Sequence, residues 1–126
     1  LAFGPLLESV WSVRTVELPD LSMGEINTAA LLGEIDELSG PAWSFRDLAI
    51  REGAQGAIIL EINEEISFLH SSDLLNEFNP DSEEALKNNF PEWEEASLIV
   101  VVSGDSSEVI ESGLWRIIGE IVLKKS

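Results

Sequence analysis

Apolar and polar positions change period several times along this 126-residue chain, and each change marks an element. Ser12-Val13-Arg14-Thr15-Val16-Glu17-Leu18 alternates, as a half-buried strand does, and Pro19-Asp20 stops it. Leu21 to Thr28 reads as a connection. Ala29-Ala30-Leu31-Leu32-Gly33-Glu34-Ile35-Asp36-Glu37 reads as a second strand with alternating later residues. Ser39-Gly40-Pro41 then puts proline at a first helical position. Ala42, Phe45, Leu48 and Ala49 recur at helical spacing as far as Glu52, and Gly53 and Gly56 close the helix. Ala57-Ile58-Ile59-Leu60-Glu61-Ile62 predicts a third strand, Asn63-Glu64-Glu65 a turn, and Ile66-Ser67-Phe68-Leu69 a short fourth strand. Ahead of all these, Leu1 to Val10 is apolar with a Gly4-Pro5 break, the pattern of a short helix or arm.

The clearest signal comes late. Leu98-Ile99-Val100-Val101-Val102 is an unbroken apolar run, the pattern of a buried strand over Ser97–Ser103. Gly104 supplies a turn, and Asp105 with Glu108 three positions on has capping-box form. A helix is therefore expected from Ser106 to about Gly119, with a tail to Lys124-Lys125. Between the fourth strand and this unit, Ser71 to Ala96 holds eight acidic residues against Lys87 and interrupts the strand–helix alternation. It reads as an inserted acidic flap, with Asp81-Ser82-Glu83-Glu84 capping a helix that runs to Asn89 between Pro80 and Pro91. One α+β domain over 1–126 follows: a mostly antiparallel sheet of four to five strands, two main helices on one face, and an acidic helical insert at about 71–96.

Composition narrows the function classes. There are no cysteines, hence no disulfide framework and no thiolate chemistry. No apolar run approaches the roughly 18–20 residues of a membrane span, and no membrane association is expected. The net charge of −17, from 24 acidic and 7 basic residues, argues against a nucleic-acid partner, whose phosphates need neutralising. A cytoplasmic setting is expected, and the non-methionine start suggests a trimmed or excised chain.

Candidate chemistry is sparse. His70 is the single histidine, and its neighbours Ser71, Ser72 and Asp73 are too close in sequence to converge as a triad. His70, Ser71 and Ser72 are read as turn residues, with lining of a pore or cavity as the alternative. Ser39 and Gly40 open a helix whose free N–H groups offer an anion contact, although neither a Walker nor a Rossmann spacing is present. The carboxylate pairs Glu64/Glu65 and Glu94/Glu95 lack calcium-loop spacing, so no metal and no cofactor is expected. No nucleophile, base and orienter can be named together, and a non-enzymatic protein is expected. Among four tryptophans, Trp43 and Trp115 fall inside predicted helices as core or subunit-contact residues, and Trp93 anchors the flap.

Two blocks together resemble bacterial microcompartment shell domains. The stretch Ala29–Glu37 followed by Pro41–Glu52 is similar to that family's opening strand and helix, with Asp47, Ala49 and Arg51 on the matching helix. Gly104, Asp105, Val109 and Gly113 match its later segment. No Gly-rich pore loop follows the second strand, and Val13–Pro19 resembles the family's last strand moved to the front, which implies a circularly permuted chain or a piece of a tandem protein. The resemblance implies cyclic hexamers, or trimers of tandem units, that tile with other shell proteins around a metabolite pore. It implies Arg51 and Asp47 at the oligomer edge, with Ser39, Gly40, His70, Ser71 and Ser72 at turns or the pore. Two alternatives stand beside it. One is an acidic module of ferredoxin-like fold docking a basic partner. The other is the soluble part of a larger membrane transporter, since Ser71–Val102 is similar to a porter domain of the resistance-nodulation-division type. In the first reading the helices at 41–52 and 106–119 meet copies of the same subunit side by side.

Overall fold

In the computed structural model, residues 9–21, 24–35, 38 and 40–125 are described, with side chains to 122. Five strands form one sheet: β1 (Val10–Val16), β2 (Ile26–Leu32), β3 (Gly56–Asn63), β4 (Glu65–Phe68) and β5 (Leu98–Gly104). Their spatial order is β1-β2-β5-β3-β4, and every neighbouring pair is antiparallel. The helices lying wholly within the described residues are α1 (Ala42–Arg51), α2 (Leu75–Phe78), α3 (Pro80–Asn89) and α4 (Ser107–Lys125), with a 3-10 turn at Trp93–Glu95. The α+β fold with its largely antiparallel sheet is thus present as the hydrophobic pattern implied.

The apolar run of β5 has a simple cause: this central strand is covered on both faces. Leu98, Val100 and Val102 pack with Phe45 and Ala49 of α1 and Ile110, Leu114, Ile117 and Ile121 of α4. Ile99 and Val101 face the other way, onto Leu75, Leu86 and Phe90 of the acidic segment. That segment is therefore a third layer with its own buried side chains, more firmly docked than a flap. Asn27 and Ser103, buried partners across β2 and β5, satisfy each other by a side-chain hydrogen bond.

Several boundaries differ from the sequence reading. β2 starts at Ile26 and stops at Leu32, where Gly33 lies under the Trp11 ring and Glu34 takes a left-handed φ of 61°. Trp11 itself sits at the bulge between Val10 and Ser12. α1 ends as expected, on Gly53 at φ 100°, with Ala54 N–H donating to the Ala49 carbonyl. α4 runs through Gly119 to Lys125, because Ile117, Ile118 and Ile121 prolong its buried stripe past the glycine. Its start is capped by Ser106, whose Oγ accepts from Val109 N–H at 3.5 Å, instead of by Asp105. Leu1–Glu8, Asp36, Glu37 and Ser39 lie outside the described residues.

The cap of α3 also comes from elsewhere. Asn79 is its N-cap position and makes no side-chain cap bond, while Pro80 fills the first turn. Asp20, just after β1, accepts from Ser82 N–H at 3.0 Å and Asp81 N–H at 3.2 Å. Asn79 Nδ2 in turn donates to the Asp20 carbonyl. Asp81, expected as the cap, is capped.

Candidate functional site

Two places on the α1/α4 side of the sheet gather the residues singled out from sequence. The first is the outer face of α1. Phe45 and Ala49 point into the core, which leaves Trp43, Arg46 and Ile50 on the opposite, exposed face. Trp43 is 59% exposed and Ile50 45%, so neither is a core residue. Asp47 and Arg51 line a cleft of about 220 Å³ with Trp43, Leu48 and Glu120, where α1 meets the far half of α4. The two helices approach closely at Gly113, whose added Cβ would stand 3.2 Å from the Ala49 backbone. Trp115 lies toward β1, 39% exposed, above a separate 280 Å³ groove that includes Val13, Thr15 and Ile26.

The second place is a cavity of about 370 Å³ at one end of the sheet. Ile35, Leu38, Ala96 and Leu98 form its buried floor; Glu61, Asn63, His70 and Ser97 are more exposed at its rim. Glu61 reaches it because it shares the parity of core-facing Ala57 and Ile59 along β3. His70 occupies a left-handed turn after β4, φ 57°, and is fastened twice. Its amide N–H donates to Glu61 Oε1, and its Nε2 stands 2.8 Å from the Gly40 carbonyl. A carbonyl only accepts, so Nε2 carries a proton and donates it to Gly40, while Nδ1 lies 3.8 Å from Glu61 Oε1.

Of the turn and lining candidates, the fold brings Gly40 and His70 together, and His70 lines the cavity. Ser71 serves its own turn, with Oγ accepting from Asp73 N–H at 3.0 Å, and Ser72 is exposed. Ser39 lies outside the described residues. Sequence reasoning missed Glu61, Asn63 and Ser97. The available signal was Glu61, an acid at an inward position of an otherwise apolar strand.

The third layer shows its own electrostatics. Lys87 bridges to Glu83 at 2.8 Å and lies 4.5 Å above the Trp93 ring, which is itself partly buried against the core of this layer. The Ser82 hydroxyl, helped by the Ser82 and Asp81 amides against partial desolvation, holds the Asp20 carboxyl below the usual carboxylate range. Among the described residues, no group of three or more His, Cys, Asp or Glu is placed to hold a metal ion. Among them, too, no helix is long and apolar enough to cross a membrane.

The fold has a relative of known structure. A hypothetical protein, PH0730 from Pyrococcus horikoshii OT3, superposes with a TM-score of 0.66 over 97% of this chain at 21% identity. The chain spans 66% of that protein's length, so the likeness concerns architecture alone. No curated protein matches. Residues 23–121 match the model described as Domain of unknown function (DUF4443), and the chain belongs to that family.

Proposed function

We propose that this chain is a non-enzymatic association domain that pairs with copies of itself through the outer face of the α1/α4 layer. The observation that carries this reading is Trp43 and Ile50, both exposed and seven positions apart on one helix, with Arg46 between them. Exposed apolar residues scattered singly need no explanation, whereas a tryptophan, an isoleucine and an arginine on one face have the make-up of an interface.

Charge supports the same face. Copies of a chain carrying −17 repel one another, and their approach costs least where charge is nearly balanced. By sequence, α1 and α4 hold five basic residues (Arg46, Arg51, Arg116, Lys124, Lys125) against four acidic ones (Asp47, Glu108, Glu111, Glu120). The opposite layer, residues 75–95, holds seven acidic residues against Lys87. Arg51 and Asp47, the edge residues implied by the shell-domain resemblance, flank Trp43 in the α1/α4 cleft. That resemblance adds a form to the reading: rings of six copies, or of three tandem units, in the cytoplasm.

The test is native mass measurement of the wild type and of a W43D/I50D double variant. The wild type is expected at a multiple of the single-chain mass, and the variant at the single-chain mass with unchanged far-UV circular dichroism. A wild-type monomer at the highest soluble concentration would overturn the proposal. A symmetric dimer would keep the association and remove the ring.

The acidic layer favours a second reading, docking of a basic protein on residues 75–95. Added salt separates the two: screening weakens an acidic–basic complex and strengthens pairing between like-charged copies.

A further inference from the structure

We infer that the notch between α1 and the end of β4 takes an extended peptide as an added strand along the start of β3, a peptide with an apolar side chain and, two positions on, a carboxylate. The inference does not rest on self-association, although Trp43 and Arg46 border both surfaces.

β4 shields only part of β3. Its register runs from Asn63↔Glu65 to Leu60↔Phe68, and Leu69 N–H adds one further bond to the Ile59 carbonyl at 3.1 Å. The chain then leaves the edge, turning at His70 with φ 57° while Ser71 N–H donates to the Phe68 carbonyl. Gly56, Ala57 and Ile58 therefore pair with β5 on one side and with no described strand on the other. Parity decides which groups that leaves. Ile62 N–H donates to the Ser97 carbonyl, so even-numbered residues of β3 bond toward β5 and odd-numbered ones toward β4, as the Ile59 carbonyl does. Ala57 thus turns both its N–H and its C=O to the bare side, the donor and acceptor that a residue of an added strand takes. Gly56-Ala57-Ile58-Ile59 has neither a proline nor a charge to block such an addition.

The space has the position of a missing strand. It measures about 340 Å³ and is lined from both faces of the sheet. Ala57, Ile59 and Leu69 belong to the core on the helix side, while Ile58 and Phe68 pack on the opposite one. A hollow on one face alone would not reach both. Three strand residues span about 10 Å, so the bare stretch admits a short segment whose side chains alternate between the faces. On the helix side Ala57, Ile59 and Leu69, each under a tenth exposed, offer an apolar seat beside Trp43.

The carboxylate follows from Arg46. It is the one polar side chain in the lining, no acid lines the notch with it, and no described carboxylate pairs with it. In a chain of net charge −17 this guanidinium favours an anionic group. Arg46 and Trp43 both come from α1, so the carboxylate and the apolar side chain project to the same face, which in a strand means two positions apart.

The test titrates the whole chain with acetyl-Ser-Leu-Val-Glu-Ser-amide and follows its amide chemical shifts. Saturable shifts are expected at Ala57, Ile58, Ile59, Leu69 and the Trp43 indole N–H. Glutamine in place of the peptide's glutamate is expected to weaken binding about two- to fivefold, as for an exposed ion pair, and R46Q to remove that difference. N-methylation of the peptide's leucine deletes the N–H that the Ala57 carbonyl accepts, and is expected to weaken binding about fivefold or more. 4-Methylpentanoate, an apolar carboxylate without a peptide backbone, is expected to give no saturable shifts. I50D, a change outside the lining, is expected to bind the peptide whatever its own mass, which keeps this inference apart from self-association. Absence of saturable shifts in the wild type or in I50D, equal binding of the N-methylated or the glutamine peptide, or 4-methylpentanoate binding as tightly as the peptide would each overturn it. Shifts at these residues that follow protein concentration and ignore the peptide would give the notch to a second copy, and overturn it too.

Discussion

Asp20 follows β1 in sequence but works at the start of α3, 62 residues away, where its carboxylate caps Ser82 and Asp81. Its folded carboxyl is held below the ordinary value, so the fold favours the ionised form. The stabilisation is complete above the unfolded carboxylate range, about pH 4, and is lost as pH falls through the depressed folded value. Thermal melts of D20A should show a lower midpoint than wild type at pH 7 and the same midpoint at the acid end. Equal midpoints at pH 7 would remove the cap from the account. No local pattern announces such a partner, because Asp81 and Asp20 both look like caps in sequence and only the packing of β1 against α3 chooses between them. Glu61 was more legible. Its inward parity on β3 was readable, although what it meets there depends on the His70 turn, whose strained backbone has no sequence signature.

At the scale of elements, β5 and α1 followed from their apolar periods, because a central strand and an amphipathic helix are written locally. α4 was misjudged by one residue type. Gly119 looked like a stop, yet the isoleucines after it keep burying surface, and tertiary packing outweighs a propensity cost of about 1 kcal/mol. An added Cβ at Gly119 meets nothing within 4 Å. G119A should therefore stabilise the protein by about 0.5–1 kcal/mol in chemical denaturation. Gly113 is the opposite case, pressed between Ala49 and Val102, and G113V should cost about 1–3 kcal/mol by forcing the helices apart. Equal effects at the two glycines would contradict the crossing. The acidic segment was located correctly from its composition, but its role as a packed layer was hidden, since its buried residues are few and spread over two short helices. Leu86 is wholly buried in that layer. L86A should cost about 2–5 kcal/mol, whereas a loss below about 0.5 kcal/mol would return the segment to a loose flap.

The whole molecule is a sheet between two unlike layers, one strongly acidic and one nearly balanced in charge with tryptophan and isoleucine exposed. Which helix lies on which face comes from the strand order β1-β2-β5-β3-β4, in which β5 inserts between β2 and β3. A one-dimensional pattern does not carry that order. The sequence also placed Trp43 and Trp115 as either core or contact residues, and both stand too exposed for a core. Self-association through α1 is the claim on which the functional account rests. Its most direct test is sedimentation equilibrium of the wild-type chain across protein concentration, at about 0.05 M and about 0.5 M salt. Association that rises with concentration and strengthens at the higher salt is the predicted result, because screening relieves the repulsion between copies. A single-chain mass at every concentration under both conditions would contradict it.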